Sequence, residues 1–187
     1  MLDTNEKHAL WDTVTPSAYR RALSAVPTSV VVAGGMLDGM PVGMVIGSFT
    51  SVSIDPPLVG FFGDARSTTL EPLLRCANLT FSLLGQEDLA VCEAFRLPLH
   101  QRFDAVAWSQ TGHGTAAIDN AALTVHTRVY RTFEAGDHTC VLAEVLGIGI
   151  DVAVRRPLVF FKRQLTRLDP GRVLAEELWQ LGWQEPH

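Results

Sequence analysis

The chain has 187 residues, 47% hydrophobic and 19% charged, with a formal net charge of -5. That length suits one domain of ordinary size, and that balance excludes a chain disordered throughout. The acidic balance carries no basic footprint for nucleic acid. Three cysteines, Cys76, Cys92 and Cys140, are odd in number and far apart. They give neither a disulfide framework nor a zinc pattern. The start, MLDTNEKHALWDT, has no signal-peptide pattern. No run approaches the roughly 20 apolar residues of a membrane helix. The expectation is a cytoplasmic protein that meets neither membrane nor nucleic acid.

In chain order, residues 1–14 read as an N-terminal tail. Thr15-Pro16 opens a short helix, because Thr caps and Pro is tolerated at the first helical position. Tyr19, Ala22, Leu23 and Val26 form its apolar stripe, and Pro27 stops it. Thr28 to Ala33 reads as a buried strand. Gly34-Gly35 and Asp38-Gly39 are turn signals leading to a strand over Pro41 to Ile46. Ser48 to Ile54 alternates, Asp55-Pro56-Pro57 breaks it, and Leu58 to Phe62 is apolar. Ser67 is placed as the cap of a helix carrying Leu70, Leu73, Leu74 and Ala77. Leu79 to Leu84 reads as a strand, Gln86 to Phe95 as a helix, and Leu97 to Gly114 as irregular. Ala121 to Thr132 alternates, Gly136-Asp137 turns, and His138 to Ile150 is a long strand. Leu158 to Phe161 is a last strand. Residues 170–187 read as a helical extension with Leu174, Leu178 and Leu181 on one stripe.

About seven strands, with few helices between them, predict a mainly β fold: an antiparallel sheet closed into a barrel with peripheral helices. The domain spans 15–169, with no linker inside it. Familiar chemical motifs are missing. There is no phosphate-cradling Walker sequence and no Gly-x-Ser-x-Gly elbow. Gly112-His113-Gly114 lacks the third glycine and the strand-turn-helix setting of a dinucleotide fingerprint. The six histidines show no metal spacing, so no metal is expected.

Three segments are unusual for a pure core. Gly43 to Leu58 sets hydroxyls and glycines in an apolar strand pair, where a flat ring or a phosphate could approach. A bent barrel corner with solvent-facing Ser and Thr reads equally from the same residues. Ala65-Arg66-Ser67-Thr68-Thr69 follows a strand and opens a helix, which suits an anion, or is an ordinary cap with a solvated arginine. Gly136-Asp137-His138 puts a titratable group at a loop-to-strand junction, or is a plain turn with a surface histidine.

Taken together, in this order and near this spacing, the segments resemble the flavin reductase domain family, whose fold is the Greek-key FMN-binding split barrel. The resemblance runs from Tyr19 to Leu168. It rests on Tyr19-Arg20-Arg21-Ala22-Leu23, on Gly43 with Ser48 to Leu58, on Arg66-Ser67-Thr68-Thr69, on Gly136-Asp137-His138 and on Arg156-Pro157-Leu158.

The resemblance implies a homodimer that binds FMN or FAD and oxidises NADH or NADPH. Reduced flavin would pass to a partner flavin-dependent monooxygenase. It assigns the isoalloxazine and ribityl to Met44, Val45, Ile46, Gly47, Ser48, Thr50 and Ser51. The phosphate falls to Ala65, Arg66, Ser67 and Thr68. Arg102-Phe103 stands where a basic-aromatic pair lies near the flavin. His138 is the catalytic candidate, and His138 with Arg163 would meet the nicotinamide. Val45, Gly47, Ala143 and Leu165 depart from the family's usual residues. The competing reading is a split barrel repurposed as a flavin-binding or flavin-independent biosynthetic enzyme. A dimeric interaction protein without a ligand is the third.

Overall fold

The computed structural model describes residues 14–151 and 156–168. Among them a seven-stranded antiparallel sheet forms the body. It begins with the hairpin β2 (Val31–Leu37) and β3 (Met40–Ile46), closed by Asp38-Gly39 with φ of 52° and 80°. Two left-handed residues are what a tight hairpin turn with matching twist requires. A second hairpin, β4 (Thr50–Ser53) and β5 (Leu58–Asp64), lies at the far edge. The chain then returns through α2 (Leu70–Leu74) to β6 (Asn78–Leu83) beside β2. After α3 (Leu89–Ala94), the small hairpin β7 (Trp108–Gln110) and β8 (Ala116–Ile118) covers the sheet's outer side. Two 13-residue strands, β9 (Leu123–Ala135) and β10 (His138–Ile150), close the gap between β6 and β5.

The strand order is therefore β3-β2-β6-β9-β10-β5-β4, and no ladder joins the two ends of the sheet. The residue two positions after β3 is instead tied to β5. Ser48 Oγ donates to the Phe62 carbonyl at 3.0 Å and accepts from the Phe62 N–H at 2.9 Å. A separate three-stranded sheet sets β1 (Thr28–Ser29) against β11 (Leu158–Phe161) and β12 (Gln164–Arg167). The helix α1 (Pro16–Leu23) starts at Thr15, whose Oγ1 accepts from the Ala18 N–H at 3.2 Å.

The apolar run at β2 has no alternation because both faces are buried. Val31 and Ala33 pack inward with Phe61, Phe81, Leu79 and Val141. Val30 and Val32 pack outward with Leu84, Phe95, Phe103 and Ala116. Phe81 meets Phe49 at 4.9 Å and Phe61 at 5.6 Å between ring centres, while Phe103 meets Phe95 at 5.2 Å and Trp108 at 5.4 Å. The hairpin β7–β8 is fastened by polar groups as well. The buried hydroxyls of Thr80 and Thr115 bond each other, and Thr80 Oγ1 lies 3.0 Å from His126 Nδ1. The His113 ring from the hairpin tip stacks on His126 at 4.6 Å.

Several sequence expectations change. Gly34-Gly35 is no turn: both lie within β2. A Cβ on Gly34 would sit 2.2 Å from the Ala116 carbonyl oxygen, and one on Gly35 would sit 2.7 Å from Cys76 Sγ. The glycines are there for close packing across layers. The helix expected from Ser67 begins only at Leu70 and is five residues long. The expected Gln86–Phe95 helix shortens to Leu89–Ala94. Strands β7, β8 and β12 were hidden because three or four residues show no reliable period. The extension 170–187 and its leucine stripe lie outside the described residues.

Candidate active site

The apolar stripe of α1 is not turned into a core. No residue of α1 is buried, and Tyr19, Leu23 and Val26 remain 56%, 48% and 53% exposed. These three side chains instead form one wall of a cleft of about 1200 Å³. The opposite wall is the end of β3, from Met44 to Ser48, with Phe62, Gly63 and Asp64 of β5 and Phe160 of β11. An apolar wall facing a strand edge suits a flat ring system. The strand edge matters because β3 is terminal in the sheet. One row of its backbone N–H and C=O groups therefore has no strand partner among the described residues and can meet the polar rim of such a ring.

His138 and Arg163 also line the cleft. Arg163 and Lys162 form the turn between β11 and β12, with φ of 65° and 48°. Two non-glycine residues in the left-handed region are strained, and such strain persists where the surroundings fix it. Here the Lys162 N–H donates to the Ser24 carbonyl at 2.7 Å, tying this turn to the end of α1. His138 opens β10 and pairs in register with Asp64 of β5. Its Nδ1 lies 2.7 Å from Asp137 Oδ1. A carboxylate can only accept, so Nδ1 carries the proton and Nε2 is left to face a ligand. The hydrogen bond from His138 lowers the Asp137 carboxyl below its ordinary value, which keeps it ionised and the imidazole oriented.

A second hollow of about 790 Å³ adjoins the first and shares Tyr19, Arg20, Asp64 and His138 with it. It adds Arg66, Ala135 and Asp137. Arg66 is not free to act alone. Its Nε and Nη2 donate to the two carboxylate oxygens of Asp64 at 3.1 and 2.9 Å. That fork holds the Asp64 carboxyl down at about 2. The Ala65 N–H donates to the Asp137 carbonyl at 3.1 Å, so the Arg66 turn and the His138 turn are one unit. With α2 starting at Leu70, Ala65, Ser67 and Thr68 sit in a turn rather than at a helix terminus.

The residues expected from the sequence thus divide. Met44, Val45, Ile46, Gly47, Ser48, His138 and Arg163 line the larger cleft, and Arg66 the smaller hollow. Ser48 is there with its hydroxyl engaged at the Phe62 backbone. Thr50 and Ser51 lie on exposed β4, and neither they nor Ala65, Ser67 and Thr68 line either space. Arg102 and Phe103 stand behind the site. Arg102 Nη1 donates to the Gly43 carbonyl at 2.8 Å and to Thr69 Oγ1 at 3.1 Å, and burial lowers its pKa. Phe103 is 4% exposed in the outer core, and a Cβ on Gly43 would meet its ring at 3.0 Å. Gly43 and Gly47 relieve packing against Phe103 and Thr28, so their smallness serves the fold behind the strand. The sequence reading missed Arg20, Asp64, Phe62 and Phe160. Arg20 stood within a quoted motif and Asp64 beside one, but nothing local separates them from a helix surface and a strand end.

Comparison with known proteins settles the family. The profile of the flavin reductase like domain matches residues 22–169. The chain belongs to this family. It is 30% identical to a flavin reductase of Pseudomonas putida over 139 residues, covering 74% of this chain and 82% of that one. It is also 30% identical to a flavin reductase (NADH) of Kitasatospora aureofaciens, covering 82% of each. Among solved structures, the NADH:FAD oxidoreductase SgcE6 of Streptomyces globisporus, in complex with NAD and FAD fragments, superposes with a TM-score of 0.78 at 28% identity. That superposition covers 86% of this chain and 98% of SgcE6. The chain therefore has a mainly β, flavin reductase-like fold, and among the described residues its main sheet is open where the sequence led us to expect closure into a barrel.

Proposed function

We propose that the chain is an NAD(P)H:flavin oxidoreductase that binds FMN or FAD and hands reduced flavin to a flavin-dependent monooxygenase. The observation that carries this reading is the cleft between the α1 stripe and the free edge of β3, lined also by His138, which is bonded to Asp137. Its apolar walls fit an isoalloxazine, and the β3 edge offers the backbone groups for the ring's polar side. The flavin supplies the two-electron chemistry when bound, and the protein supplies binding, orientation and exclusion of water. Val45 and Gly47 do not weaken the fit, since backbone groups need no particular side chain. The complex of SgcE6 with NAD and FAD fragments supports placing both nucleotides at this site. No described helix is long and apolar enough to cross a membrane.

The test is steady-state oxidation of NADH and NADPH with FAD, FMN and riboflavin. Oxidation that depends on added flavin is expected. A preparation that neither takes up flavin nor oxidises either nicotinamide would defeat the reading.

The working state we propose is a homodimer. Among the described residues, β10 beyond Glu144 has a paired strand on one side only. Ile148 and Ile150 pair there with Val125 and Leu123, which contribute to the inner core. Yet these two isoleucines are 62% and 72% exposed. An inward-facing row left open on the sheet suits cover by a second copy. Sedimentation at micromolar concentration should give twice the chain mass, and a stable monomer would contradict it.

A further inference from the structure

We propose that Arg20 of α1 is the main contact for a phosphate of the bound nucleotide, and that Asp64 holds Arg66 back from that task. The proposal rests on the flavin reductase reading above and adds a binding residue to it.

The argument is one of charge and place. Arg20 lines both spaces, at their junction, next to Tyr19. A ligand with its ring in the larger cleft and its anionic end in the smaller hollow must pass it. In that smaller hollow the other charged side chains already have hydrogen-bond partners. Arg66 is forked onto Asp64, and Asp137 is bonded to His138. Arg20, by contrast, makes no side-chain hydrogen bond or ion pair among the described residues. An incoming phosphate therefore meets a net positive charge at Arg20, but a neutral pair at Arg66. To use Arg66 fully it would have to displace an ionised carboxylate or sit beside it, and like charges at that distance repel. A guanidinium suits the task, since its planar fork matches two phosphate oxygens. Tyr19 and Arg20 are consecutive on α1. Both line the larger cleft and the smaller hollow.

The phosphate could belong to the flavin or to the nicotinamide dinucleotide, and the experiment separates the two. Arg20→Ala and Arg20→Lys are compared with the parent by fluorescence titration with FMN and with riboflavin. The KM for NADH is measured beside that for dihydronicotinamide riboside, which has no phosphate. If the flavin phosphate is bound, Arg20→Ala weakens FMN about 10-fold, a size usual for a charge-assisted contact, and leaves riboflavin unchanged. If the dinucleotide phosphate is bound, the NADH KM rises similarly and the riboside KM does not. Arg20→Lys should recover part of either loss. Asp64→Asn should tighten FMN by releasing Arg66, and Arg66→Ala should cost less than Arg20→Ala. Unchanged FMN and NADH in Arg20→Ala, equal weakening of FMN and riboflavin, or a larger loss in Arg66→Ala would each overturn the proposal. The Arg20 side chain is exposed, so melting temperatures near the parent's are expected. A parent that binds no flavin would instead bring down the function reading, and this proposal with it.

Discussion

Gly34→Ala should destabilise the protein by about 3 kcal/mol, toward the upper end for inserting one carbon into a packed core. The added Cβ would lie 2.2 Å from the Ala116 carbonyl oxygen and 3.3 Å from its carbon. Neither backbone can yield cheaply. Gly34 is paired with Gly43 on one side and Thr80 on the other. Ala116 is paired with Gln110, and the neighbouring Ile118 N–H donates to the buried Ser82 hydroxyl at 3.1 Å. The β7–β8 hairpin must lift off, and its threonine bonds would go with it. In a chain of this size the melting temperature should fall by about 6–12 °C. Gly112→Ala is the control, because its Cβ would meet nothing within 4 Å and its φ is unexceptional. Thermal melts of the two variants decide it. A Gly34→Ala melt close to the parent's would mean that β8 does not approach β2 as described.

His138→Ala should slow NADH-dependent flavin reduction by about 10- to 100-fold, equivalent to about 1.4–2.7 kcal/mol of lost transition-state stabilisation. The imidazole lines both spaces, with Nδ1 fixed by Asp137 and Nε2 left for the ligand. A group held in this way places its partner, and misplacement of reacting atoms is costly in rate. Flavin affinity should change little, because the β3 edge and the α1 wall provide that contact. Stopped-flow bleaching of bound flavin by NADH, beside a titration with oxidised flavin, separates the two effects. Reduction as fast as in the parent would make His138 a turn residue. A collapse of flavin binding would move it to the cofactor's support.

Much of the fold was legible because the local signals were strong. Thr15-Pro16 marked α1, Asp38-Gly39 marked the first hairpin, and His138 to Ile150 was bounded correctly at both ends. Gly34-Gly35 misled because glycine pairs mark turns and close contacts alike, and only the distant Ala116 and Cys76 distinguish them. The candidate site was half legible. His138 and Met44 to Ser48 sit on the cleft because their strands end there. Arg102 and Phe103 were expected near the ligand, but a residue's depth behind a strand depends on layers that sequence spacing does not encode. The Asp64–Arg66 fork is local, only two residues apart. Its effect on an incoming anion was invisible until Arg20, more than forty positions away in the chain, came to the same hollow.

The two-faced burial of β2 has a bearing on how the molecule fails. Val31 and Ala33 anchor one cluster and Val32 the other, so a single ribbon is the party wall of both rooms. Loosening either room releases the wall from the other. Damage far from the cleft, under the β7–β8 hairpin or beside α3, is therefore transmitted through β2 to β3, its hydrogen-bonded neighbour. The β3 edge that lines the cleft keeps its shape only while the outer side of the sheet stays packed. Variants that bind cofactor poorly without touching the cleft should then concentrate on the outer cluster.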